Sequence, residues 1–209
     1  MDWEEILSSV EKPSRYLGGE ANVPRKDPRG VRLRFALAFP DTYEVGMSHL
    51  GLQILYAVLN DLPGVSAERV YAPWPDMERL LREHRMPLSS LESHLPLKEF
   101  DIVGFSLQYE LSYTNVLNML DLGGIPLRSE DRRPDDPLVI AGGPSAFNPV
   151  PMAAFIDAFV IGEGEEAIAE VATAVAAEKG KKKRREALLE ALAAIPGVYV
   201  PALHGRGAA

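Results

Sequence analysis

Two short apolar runs near the end of the chain stop abruptly at glycine. Residues 138–144 read Leu-Val-Ile-Ala-Gly-Gly-Pro, and residues 159–166 read Phe-Val-Ile-Gly-Glu-Gly-Glu-Glu. Glycine at the end of an apolar strand marks a place where another group comes close to the backbone. Such strand ends line the ligand crevice of an open α/β sheet. Gly142 and Gly143, with Pro144 beside them, are therefore expected to let a ligand lie on the main chain. A branched side chain at Gly143 is expected to block that crevice without unfolding the chain. Glu163 and Gly164 open a helix at the same edge. The carboxylates suit a helix N-terminus, would repel a phosphate there, and would accept hydrogen bonds from hydroxyls or amides. The pattern is neither a Gly-x-Gly-x-x-Gly dinucleotide loop nor a Lys-bearing P-loop.

Two further loops carry polar groups to this edge. Pro40-Asp-Thr-Tyr-Glu-Val-Gly-Met-Ser48 follows the first predicted strand. It reads equally as a ligand loop or as a long capping turn in which Gly46 and Gly51 allow close helix packing. Ser48 is expected to cap the next helix, with His49 a surface or capping residue. In the loop that starts at Ser106, the serine hydroxyl ends a buried strand and needs a partner. Gln108 adds an amide, Tyr109 is expected to pack, and Ser112 to cap a helix.

The elements that position these groups follow from hydrophobic period. Strands are predicted at 31–39, 68–72, 102–107, 138–141, 158–161 and 198–200. Helices are predicted at 3–10, 48–59, 76–84, 112–122, 151–155, 165–179 and 186–194. Residues 88–97 read ambiguously, with room for a small extra strand. Strands alternating with helices predict a Rossmann-like, flavodoxin-type, doubly wound and mostly parallel sheet. Residues 1–30 form a helix and an irregular Pro- and Gly-rich arm, 31–201 the α/β domain, and 202–209 a linker-like tail.

Composition narrows the function classes. A net charge of −8 argues against a general nucleic-acid or anionic-membrane surface. The basic run Lys181–Arg185 reads as a solvated segment between helices. The chain has no cysteine, hence no disulfide and no thiolate to hold a metal or an iron–sulfur cluster. No signal peptide and no apolar run near twenty residues is visible, which fits a cytoplasmic chain.

Taken together, Ala-Gly-Gly-Pro-Ser at 141–145, Ile-Gly-Glu-Gly-Glu-Glu at 161–166, the segment from Pro40 to Leu52 and Lys12-Pro-Ser-Arg-Tyr-Leu-Gly-Gly-Glu20 resemble the N-terminal cobalamin-binding-type domain of radical S-adenosylmethionine (SAM) proteins. The likeness runs from about residue 12 to residue 201. It implies a cobalamin held at the C-terminal edge of the sheet. Asp41, Tyr43 and Gly46 would face the corrin's lower side, and Ser106, Gln108, Gly142, Gly143 and Pro144 would line the slot of the nucleotide tail, flanked by Glu163 and Gly164. Where such domains carry Asp-x-His-x-x-Gly, this chain reads Asp41-Thr-Tyr43-Glu-Val-Gly46, so cobalt is expected to lack a histidine from this loop. The resemblance also implies that a [4Fe–4S] cluster and SAM belong to a radical SAM barrel beyond residue 209, the expected partner of this domain, and that this chain alone is not catalytic. A cofactor-free vestigial scaffold and a nucleotide-binding domain are the competing readings.

Overall fold

The computed structural model describes residues 3–21, 23–24, 26–179 and 185–205. A six-stranded sheet in the order β2-β1-β3-β4-β5-β6 forms the centre. Its strands are β1 Leu33–Phe39, β2 Val65–Tyr71, β3 Ile102–Ser106, β4 Leu138–Gly142, β5 Ala158–Val160 and β6 Val198–Tyr199. The first five are parallel. β6 runs antiparallel to β5, through the pairs Phe159–Tyr199 and Val160–Val198. This is the expected Rossmann-like fold, with flavodoxin-type strand order and one antiparallel strand added at the edge.

Both faces of the sheet are covered, which is why its strands read as nearly continuous apolar runs. Alternate side chains go to opposite faces. Ala36, Ala38, Val103, Phe105 and Val139 face α1 Trp3–Ser9, α4 Pro75–His84 and α5 Tyr113–Leu122. Leu33, Phe35, Leu37, Ile102 and Ile140 face α3 Leu50–Asp61, α6 Gly164–Glu178 and α7 Arg185–Ala193. Two single-turn helices complete the set: α2 Tyr43–Met47 in the first loop and α8 Pro201–His204 after β6. The strand order reverses between β1 and β3, so loops diverge there and leave a crevice.

The local departures from expectation have physical causes. The helix expected from Ser48 starts at Leu50 instead, after the separate turn α2. Its cap is His49, whose Nδ1 accepts the Leu52 N–H at 3.1 Å, while the Ser48 hydroxyl donates back to the Val45 carbonyl at 2.9 Å. The helix expected at 151–155 is replaced by 3₁₀ turns at Pro144–Phe147 and Val150–Met152. The bonds there are of the tighter i→i−3 kind, Met152 N–H to Pro149 O at 3.0 Å, Ala153 N–H to Val150 O at 3.3 Å and Phe155 N–H to Met152 O at 2.9 Å. Residues 88–97 contribute only the antiparallel bridge Ser89–Pro96. They nonetheless protect the β2 edge, since the Leu91 N–H donates to the Arg69 carbonyl at 2.8 Å and the Arg69 N–H to the Glu92 carboxylate at 2.7 Å. Lys181–Arg184 of the basic run and residues 206–209 of the tail lie outside the described residues. Arg185 is not solvated: its guanidinium reaches the buried Asp157 at 2.6 Å.

Candidate functional site

A cleft of about 170 Å³ opens at the C-terminal edge of the sheet, between the starts of α3 and α6. Its floor comes from the face of the sheet that carries Leu37, Ile140 and Val160. Towards the strand ends, the positions continuing that alternation are Gly104, Ser106 and Gly142, all small. Small side chains between larger ones leave the hollow. Leu55 of α3 and Ile168 of α6 form the side walls.

The polar groups of the cleft sit at its rim and end. Ser106 is 8% exposed, lines the cleft, and its hydroxyl has no hydrogen-bond partner among the described residues. Gln108, His49, Gly164 and Glu165 line it as well. Among the described lining residues, Glu165 is the one with a charged carboxylate, and neither lysine nor arginine is present. The cleft therefore suits a mostly apolar, uncharged group with a few hydrogen-bonding atoms.

Gly142 and Gly143 play different parts. A Cβ on Gly142 would make only ordinary contacts with Val160, the nearest at 3.5 Å. The backbone of Gly143 has φ +101°, and a Cβ there would lie 2.8 Å from the Leu107 carbonyl oxygen. That space is filled by the neighbouring loop, which is fastened by Leu107 N–H to Gly142 O at 2.7 Å and Ser145 N–H to Leu107 O at 3.1 Å. Gly143 is thus a glycine for reasons of backbone geometry, contrary to the expectation that it leaves room for a ligand.

Ser106, Gln108, Gly142, Gly143 and Gly164 come together at the cleft; Asp41, Tyr43, Gly46, Pro144 and Glu163 do not line it. Asp41 ties two loops together, its carboxylate accepting the Tyr109 hydroxyl at 2.7 Å and the Thr42 N–H at 2.7 Å. Tyr109, expected to pack, is instead half-exposed and used for this bond. Gly46 is buried, and a Cβ on it would come 2.5 Å from the Tyr71 ring, so packing accounts for it. Pro144 begins a 3₁₀ turn, and Glu163 precedes α6 with no side-chain cap bond. Ser112 stands at the start of α5, but its hydroxyl donates to the Tyr109 carbonyl and does not cap the helix. Two polar residues of the cleft, Glu165 and His49, were not expected in the site from sequence. Glu165 is the second residue of a helix whose acidic start is explained by the dipole, and His49 had only its place at the start of a helical pattern as a signal.

Tyr43 points to the N-terminal arm. Its hydroxyl donates to Glu20 at 2.6 Å, and its ring meets Tyr71 edge-on. Partial burial and the Glu20 carboxylate push the phenol up to about 12. Glu20 also pairs with Arg69, which pairs with Glu92 at 2.7 Å. The next residue, Glu44, accepts Lys12 at 2.7 Å and Arg15 at 2.9 Å, and these cations hold its carboxyl down at about 2. Arg15 in turn lies over the Trp74 ring, 4.6 Å from its centre. The first loop is therefore a clasp for the arm.

Residues 51–201 match the family described as radical SAM proteins, N-terminal. The chain belongs to this family. The matched part of this radical SAM N-terminal domain runs from α3 through β6, so it contains both side walls and most of the floor of the cleft, whereas Leu37 and His49 of the cleft, like Asp41, Tyr43 and Gly46, precede it. A protein of Methanocaldococcus jannaschii described as uncharacterized, MJ0966, is 26% identical over 133 residues, which is 62% of this chain and 24% of that protein. The chain thus spans about a quarter of the length of the curated relative it matches. No solved structure matches. Among the described residues, no helix is long and apolar enough to cross a membrane.

Proposed function

We propose that this radical SAM N-terminal domain holds the uncharged base of a cobalamin's nucleotide tail in the cleft between α3 and α6, with the tail's phosphate outside it, and presents the corrin to a radical SAM domain of the same protein. The cleft carries this reading: it is a hollow over small strand-end residues, without a cationic side chain among its described lining, and with the Ser106 hydroxyl unpartnered among the described residues. Ser106 and Gln108 would bind polar atoms of the tail, Gly142 would leave room for its ring, and Leu55 and Ile168 would exclude water. Bound cobalamin would supply a cobalt centre able to carry an alkyl group. Tyr43 is held by Glu20, which supports a lower cobalt face without a ligand from this loop. The radical SAM partner is supported by apolar side chains exposed on the turns and helix start of the same edge: Leu50, Leu111 (87% exposed), Phe147 and Val150. Exposed apolar residues gathered on one side suit a covered surface.

The test is a titration with hydroxocobalamin followed by visible absorbance. A tail base seated in the cleft cannot coordinate cobalt at the same time, so the spectrum is expected to change saturably, with a Kd of micromolar or weaker, about −8 kcal/mol at most. Gly142→Val should abolish the change. An unchanged spectrum with the wild-type chain attached to its radical SAM domain would favour the second reading, in which the domain is a cofactor-free scaffold. The commitment of Tyr43 to the arm supports that alternative.

A further inference from the structure

His49 is the one imidazole that lines the cleft, and its chemistry is set by the helix it caps. Nδ1 accepts the N–H of Leu52, at the third position of α3. An accepting Nδ1 carries a lone pair, so the ring hydrogen sits on Nε2. The ring is held on two sides. It lies 5.1 Å from the Phe39 ring, and Gly51 leaves space for it, since a Cβ there would approach Cε1 to 3.0 Å. Nε2 has no hydrogen-bond partner among the described residues, and the ring lines the cleft. The Ser106 hydroxyl, likewise unpartnered among the described residues, is a second polar group lining the same hollow. Facing these groups are apolar walls and, at the mouth, the Glu165 carboxylate.

We infer that His49 is a hydrogen-bond donor of the cleft, beside the Ser106 hydroxyl and the Gln108 amide, fixed as the Nε2–H tautomer by its bond to α3, and that the cleft therefore selects an uncharged ligand with an acceptor atom on an apolar body. An N–H donor rewards a ring nitrogen or a carbonyl. The carboxylate and the lack of a lining lysine or arginine among the described residues disfavour phosphates. The selection rests on the cleft being the ligand site, as proposed above; the tautomer does not.

The experiment uses protein labelled with ¹⁵N in histidine. Nitrogen shifts of the neutral ring should show His49 protonated at Nε2 and bare at Nδ1. The Nδ1–H tautomer would overturn the inference whether or not any cofactor binds. Benzimidazole, a neutral ring system with one acceptor nitrogen, and ATP then serve as probes. Benzimidazole should bind saturably and shift the Nε2 signal, with ATP weaker. His49→Asn separates the two roles, because asparagine caps helices well but is too short to reach into the cleft. It should melt near the wild-type temperature and bind benzimidazole about tenfold more weakly. Unchanged binding by His49→Asn, no binding of benzimidazole by the wild type, or ATP binding as tightly as benzimidazole would each overturn the selection. Cobalamin binding that is unaffected by His49→Asn would remove the donor role and leave the proposed cofactor standing.

Discussion

A side chain at Gly142 would grow into the cleft, whereas one at Gly143 would grow into backbone. Gly142 belongs to a strand, where valine is favoured, and its nearest neighbours stand at ordinary contact distance. Gly143→Val combines a left-handed φ with a contact of 2.8 Å to a carbonyl that cannot move freely. We expect Gly142→Val to keep the wild-type fold within about 1 kcal/mol and to lose ligand binding. Gly143→Val should lose about 2–4 kcal/mol of stability, from backbone strain of about 1–3 kcal/mol and the displaced loop. Chemical denaturation of the two variants distinguishes them, and equal stability would show that the loop at Leu107 yields. In the sequence the two glycines look alike. The sign of φ depends on where the chain turns after β4, and that turn is made by contact with a loop 36 residues earlier.

At the scale of elements, the arm is fastened to α2 by two acidic links with opposite pH dependence. Tyr43 is raised to about 12 from an ordinary 10.0. Its contribution is complete below pH 10 and declines as the pH rises through about 12. Glu44 is lowered to about 2 from 4.5, mainly through Lys12 and then Arg15. Its contribution is complete above about pH 4.5 and is lost as the pH falls through about 2. Exposed ion pairs of this kind are individually weak, about 0–1 kcal/mol. We therefore expect Glu44→Gln to speed hydrogen exchange in residues 12–21 with little change in Tm, and Tyr43→Phe to cost about 1 kcal/mol through the lost hydrogen bond. Arm protection that is the same in Glu44→Gln and in wild type would show that the clasp is held by Tyr43 and Arg69 alone.

Across the whole molecule, stability is anchored at the opposite end of the sheet from the cleft. Asp157, just before β5, accepts Ser129 Oγ at 2.6 Å, Arg132 at 2.9 Å, the Val139 N–H at 2.7 Å and Arg185 at 2.6 Å. The Asp157 and Arg132 side chains are fully buried. Burial pushes the Arg132 guanidinium down, and Asp157 opposes that shift. Removing one member of a buried pair leaves an uncompensated charge, at about 3–5 kcal/mol. Asp157→Ala is expected to lower stability by that amount in urea, while Asp136→Ala, whose Lys98 partner is exposed, should lose less. A loss under 1 kcal/mol in Asp157→Ala would mean that water reaches the cluster.

The sequence by itself determined the architecture. Apolar runs of strand length alternating with 3.6-period segments have one economical solution, a parallel sheet covered on both faces, and the five parallel strands stand where those runs lie. Its glycines and Ser106 marked the edge at which the cleft opens, because small residues at strand ends are a local property. What a single residue does at that edge was decided only in three dimensions. Tyr43 shares a loop with Asp41 and Gly46, yet its partner is Glu20, 23 positions away. His49 looked like one cap among others, and its place in the cleft depends on α3 standing beside α6. Pattern is set by short-range periodicity, but the direction of a side chain is set by whichever distant segment packs against it.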